Sequence, residues 1–92
     1  MTRDDETFKQ AETTEEARLA LERDVPVGAG AEQARAWLDS RAIPFADDGD
    51  ALHFTIDGPH RSPMVFVRWI FHLSVEGGRV TGAEVEEGLV GP

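Results

Sequence analysis

From Met64 to Val75 the chain reads MVFVRWIFHLSV, and a period of two sorts it into two sets. Val65, Val67, Trp69, Phe71, Leu73 and Val75 are all apolar, whereas Met64, Phe66, Arg68, Ile70, His72 and Ser74 mix apolar, basic and polar groups. Side chains alternate faces along a strand, so this pattern predicts a long strand with one face committed to a core and an opposite face of mixed character. Leu52, Phe54 and Ile56 alternate with His53 and Thr55 and predict a second, half-buried strand. The intervening Asp57-Gly58-Pro59-His60-Arg61-Ser62-Pro63, bounded by two prolines, reads as a loop. Glu76-Gly77-Gly78-Arg79 reads as a hairpin turn, since glycine adopts positive φ without cost. In the last strand, strict alternation from Val80 places Gly82, Glu84 and Glu86 inside. One extra residue near Gly82 turns Val80, Ala83 and Val85 inward and Thr81, Glu84 and Glu86 outward, so a β-bulge is expected there.

Upstream the period changes to that of helices. Thr13 is a capping residue with Glu16 three positions on, and Ala17, Ala20, Leu21 and Asp24 share one face of the helix that follows, with Leu19 off it. Pro26 ends that helix near Arg23 or Asp24. Gly30 starts a second helix with Ala31, Ala34, Leu38 and Arg41 on one face and Trp37 beside it, ended by Pro44. Residues 1–12 carry charge and one aromatic, Phe8, and read as a mobile arm or tether. The remaining residues, 13–92, read as a single α+β domain in the order α-α-β-β-β, two helices packed on one face of a three-stranded antiparallel meander.

Ninety-two residues allow one small domain, with stability on the order of 5 kcal/mol. Nine basic and eighteen acidic residues give a net charge of −9, which argues against binding bare nucleic acid and fits an acidic protein that meets a basic partner. Without cysteine there are no disulfides, zinc–thiolate sites or thiol nucleophiles. No apolar run approaches the roughly 18 residues of a transmembrane segment, and the first ten residues, MTRDDETFKQ, lack the apolar centre of a signal peptide. On that reading the protein is cytoplasmic if Met1 is the native start.

The segment VPVGAGAEQARAWLDSRAIPF joins a hydrophobic-x-x-Gly step to a helix of the form A-x-x-A-x-x-W-L, ahead of a meander. It resembles the small bacterial envelope lipoproteins of the outer-membrane-assembly (SmpA/BamE) type and the repeats of β-lactamase inhibitor protein. Gly28 falls where the family glycine turns the chain into the second helix, and Gly30 replaces the family's Ser or Thr cap. The resemblance spans residues 13–90 and implies an interaction module without an active site. It also implies a lipid-anchored protein on the periplasmic side of the envelope, with a lipid-bearing cysteine ahead of Met1 and residues 1–12 as the tether.

Candidate chemistry is sparse. Asp47-Asp48-Gly49-Asp50 is a turn cluster that lacks the twelve-residue calcium loop and its terminal Glu. His53 and His72 fall on the same outer face if the strands pair in series, and His60 lies in the loop, without the close spacing of zinc motifs. Ser40, Ser62 and Ser74 lie in no nucleophile-elbow pattern, and Gly28-Ala29-Gly30 follows no strand. No catalytic, cofactor-binding or metal residue is therefore assigned. The mixed face remains: Met64, Phe66, Arg68 and Ile70, with His53 on the adjoining strand, form a candidate contact surface for a protein partner or a second copy. The alternatives are a small-ligand or lipid-binding domain with a pocket between helices and sheet, and a cytosolic acidic inhibitor protein.

Overall fold

A computed structural model describes residues 4–91; residues 1–3 of the expected arm and Pro92 lie outside the described residues. The elements are α1 (Asp4–Gln10), α2 (Thr14–Glu22), α3 (Ala31–Ser40), β1 (Phe45–Asp47), β2 (Ala51–Ser62), β3 (Val65–Glu76) and β4 (Arg79–Val90). The strands form one antiparallel sheet in the order β1-β2-β3-β4. The α+β class and the antiparallel sheet agree with the sequence reading, with one strand and one helix more than expected.

The extra strand is β1. Its three residues pair with Leu52, His53 and Phe54 across the turn formed by Asp48, Gly49 and Asp50. So short a strand carries too little alternation to register as a period. The extra helix corrects the arm. α1 occupies the segment expected as a tether, and Phe8 is only 3% exposed. Its ring sits edge-on to Phe71 at 5.8 Å and to Trp37 at 6.5 Å, so a lone aromatic in a charged segment is what docks that segment. A third difference concerns residues 57–63. All but Pro63 belong to a strand: β2 runs on to Ser62 through register shifts between Asp57 and His60 and between His60 and Ser62. The bulges accommodate Pro59, which has no N–H to give to a regular ladder.

The remaining elements follow their local chemistry. Thr13 caps α2 by accepting from the Glu16 N–H at 3.1 Å, while the Glu16 carboxylate reaches one residue further back, to the Glu12 N–H at 2.7 Å. Ala17, Ala20 and Leu21 are buried; Asp24, expected on that face, is exposed and accepts from the Trp37 indole at 3.2 Å. α3 starts at Gly30 without a side-chain cap, and the Ala31 N–H donates instead to Gly78 O at 2.8 Å. Gly28 N–H to Val80 O and Val80 N–H to Ala29 O continue this contact and pin the α2–α3 connection to the start of β4. The hairpin between β3 and β4 has Gly77 and Gly78 both at positive φ, as a two-residue turn of type I′ requires. The bulge in β4 is present: Ser74 pairs with Gly82 and Val75 with Val80, leaving Thr81 over.

All three helices lie on one face of the sheet. The core beneath them is built from Leu52, Phe54, Ile56, Val67, Trp69, Phe71, Leu73 and Val80 of the sheet and Phe8, Leu21 and Leu38 of the helices. Trp69 is fully buried at its centre, and its indole N–H donates to Phe8 O at 2.9 Å. The indole lies so close to the bulge that a Cβ on Gly58 would meet Trp69 Nε1 at 2.5 Å.

Trp69→Ala should cost about 3–5 kcal/mol and leave so small a domain largely unfolded; a melt within a few degrees of the parent would refute the central role of this ring. Gly58→Ala should destabilise by about 1–3 kcal/mol through overpacking, whereas Gly82→Ala, with open space at its Cβ, should be nearly neutral. Equal urea midpoints for those two variants would refute the packing argument. Ala42 ends α3 with φ of 57°, a left-handed position that favours glycine. Ala42→Gly should raise stability by about 0.5–1 kcal/mol in chemical denaturation, and a loss would show that the Ala42 methyl contributes packing.

Candidate functional site on the outer sheet face

The face opposite the helices is read off the strand register. Going along the strands, its rows are His60–Phe66–Val90, Asp57–Arg68–Gly88, Thr55–Ile70–Glu86 and His53–His72–Glu84. The face therefore has two ends. One is apolar and aromatic; the other is built from histidine and carboxylate.

At the apolar end Phe66 is half-buried, with the His60 ring 5.7 Å away and the Arg68 guanidinium 5.6 Å above it. Arg68 also pairs with Asp57 at 3.3 Å. Val90 lies opposite Phe66. Gly88 leaves room for Ile70, whose Cδ1 would lie 3.2 Å from a Cβ placed there. Of the residues expected on this surface, Phe66, Arg68, Ile70 and His53 all stand on the outer face. Met64 does not: it is 66% exposed and sits in the turn between β2 and β3, beyond the last strand pair. Val90 was missed because the C-terminal segment has no clear alternation through Glu86-Glu87-Gly88. A surface cleft of about 380 Å³, lined by Lys9, Asp57, Gly58, Pro59, His60 and Phe66, borders this end.

At the other end His53 and His72 are direct cross-strand partners, and their Nδ1 atoms are 2.7 Å apart. His53 Nε2 is 3.1 Å from Asp48 Oδ2, and His72 Nε2 is 3.8 Å from Glu86 Oε2. The sequence placed both rings on one face but not in contact, because the register and the position of the Asp48 turn set that distance. The other Asp48 oxygen accepts from the Asp50 and Ala51 N–H groups at 3.0 and 2.8 Å. Hydrogen bonding from the His53 ring, then from those two amides, holds the Asp48 carboxyl below the usual aspartate range. Asp47 is lowered likewise, by the Gly49 N–H and then the Arg35 side chain. These aspartates are thus committed to the turn that the sequence predicts at residues 47–50. Among the described residues no group of three or more His, Asp and Glu side chains stands in an arrangement that could hold a metal ion. No described helix is long and apolar enough to cross a membrane.

The chain matches no protein-family model, and neither a curated protein nor a solved structure is significantly similar to it.

A carboxyl lowered on folding contributes stability above its unfolded pKa of about 3.9 and loses that contribution as pH falls through its folded value. Asp48→Asn keeps an oxygen for the two turn amides but cannot ionise. Between about pH 5 and pH 2.5 the urea midpoint of this variant should fall less steeply than that of the parent. Parallel slopes would show that the Asp48 charge is not linked to folding.

Proposed function

We propose that this chain is a non-enzymatic protein-interaction domain whose outer sheet face receives a protein partner with an apolar centre and a basic rim. The observation that carries the reading is the placement of Phe66, Val90 and, across the Arg68–Gly88 row, Ile70 on the face that the helices leave open, with Glu84 and Glu86 along its β4 border. An antiparallel sheet is free to present a wholly polar outer face, so apolar groups gathered there favour association. Arg68 over Phe66 adds residue types enriched in interfaces. The acidic border and the net charge of −9 favour a basic partner over a second copy. Edge-to-edge pairing of two β4 strands would also set Glu84, Glu86 and Glu87 close to their own copies. The similarity of Val25–Phe45 to envelope lipoproteins of the SmpA/BamE type favours placing this activity on the periplasmic side of a bacterial envelope, with the protein held by a lipid anchor.

Leu21, Leu38, Trp69 and Phe71 pack the centre of the space between helices and sheet, so the small-ligand reading would rest on the cleft at its margin, between Lys9 of α1 and residues 57–60 and Phe66. The acidic-inhibitor reading shares the basic partner but takes it to be a cytosolic nucleic-acid-binding enzyme, met by the carboxylates in place of nucleic acid.

Phe66→Glu combined with Ile70→Lys should leave the thermal melt within a few degrees of the parent, since both side chains lie outside the helix-covered core. Cross-linking in the native host should join the parent to a basic protein in a salt-sensitive manner, and the double variant should lose that product. Light scattering of the parent should give the monomer mass. Equal cross-linking by both proteins would rule out this face as the contact, and a dimer mass abolished by the double variant would replace the partner with a second copy.

A further inference from the structure

At the histidine end of the outer face two rings meet at their Nδ1 atoms, each with a carboxylate near its far nitrogen. Asp48 Oδ2 lies 3.1 Å from His53 Nε2, so the favourable tautomer of His53 carries its proton on Nε2 and presents a lone pair at Nδ1. His72 Nδ1 is 2.7 Å from that lone pair. A neutral His72 can donate from Nδ1, but it then turns a bare Nε2 toward Glu86 Oε2, which is 3.8 Å away. Lone pair then faces carboxylate across a gap that water, rather than a direct hydrogen bond, can fill. If His72 carries its proton on Nε2 instead, it meets Glu86 as a donor, and two Nδ1 lone pairs face each other. A cation set to one side of the Nδ1–Nδ1 line, with both rings turned toward it, takes both lone pairs and leaves each Nε2 proton for its carboxylate. Each ring is then backed by a carboxylate at its far nitrogen, the arrangement that orients metal-ligating histidines.

We propose that His53 and His72 form a cross-strand chelating site, through their Nδ1 atoms, for a divalent transition-metal ion, Cu²⁺ or Ni²⁺ in preference to Zn²⁺. Two cis ligands of a square-planar ion at about 2.0 Å stand about 2.8 Å apart, close to the separation present. A tetrahedral Zn²⁺ needs about 3.3 Å and a larger parting of the rings. The side chains are 38% and 33% exposed, so the rings have freedom to swivel onto an ion and the ion has access. Asp48, Glu84 and Glu86 surround the pair with negative charge, and no basic side chain occupies the row that holds it. The protein supplies two nitrogens and water completes the coordination, so the affinity belongs to the micromolar range rather than to that of a structural site. The proposal is independent of the contact surface around Phe66.

The test titrates copper, nickel and zinc chlorides separately into the full chain at neutral pH in a non-coordinating buffer, by calorimetry. Two-dimensional NMR of the histidine side chains locates the copper. The expected order of affinity is copper, nickel, zinc, with the resonances of His53 and His72 broadened first. His53→Gln and His72→Gln should each lower copper affinity at least tenfold, while His60→Gln leaves it unchanged. Amide spectra of the three variants establish that each is folded. Lowering the pH from about 7.5 to 5.5 should weaken binding at least tenfold, because protons compete for the same nitrogens. Broadening centred on His60 or the amino terminus, unchanged affinity in either His53→Gln or His72→Gln, or no saturable binding below millimolar copper would overturn the proposal.

Discussion

A buried indole N–H must be given an acceptor, and much of this structure follows from how Trp69 obtains one. Trp69 lies at the middle of β3 with no exposed surface, so water cannot serve it. No sheet neighbour serves it either, because the ladder uses the backbone groups around it. The acceptor is Phe8 O, at the end of a path of sixty-one residues. That bond places α1 across the sheet, and the Phe8 ring then fills the space between Phe71 and Trp37. Gly58 is the matching requirement in β2: a side chain there would displace the same indole.

The helix side is closed by this arrangement, and closing it is what opens the other side. Every helix is spent on the Val67–Val75 face of β3, and the segment that could have folded across the outer face is drawn to the core by Phe8. Residues 79–90 do not cross it either, since they form β4. Edge chemistry follows the same economy. β1 is short, and β4 is twisted by its bulge and lined with glutamates, which discourages pairing with further strands.

The outer face consequently presents two chemistries within one register. Rows at the far end gather Phe66, Val90 and Arg68; rows near the Asp48 turn gather two histidines and their carboxylates. The division arises from bulges. Those after Asp57 carry His60 round to Phe66, and the one at Thr81 brings Glu84 opposite His72. Without the latter, a shift of one residue would turn Glu84 and Glu86 onto the core face and Val85 onto the outer one.

The sequence by itself determined what alternation and local chemistry can specify. The inward set of β3, the glycine turn, the bulge near Gly82, the Thr13 cap and the buried alanines of α2 and α3 all rest on neighbours a few residues apart. Tertiary structure decided whatever needed a distant partner. α1 has no amphipathic period, and its position follows from one aromatic ring and one carbonyl whose partner is Trp69. β1 is stable only against β2. The strand through Asp57–Ser62 overrides two turn-forming residues, because pairing with β3 outweighs their local preference. The 2.7 Å approach of His53 and His72 depends on a register that a list of residues does not contain. Periodicity reports which face a side chain takes, and only the packed sheet fixes what stands beside it on that face.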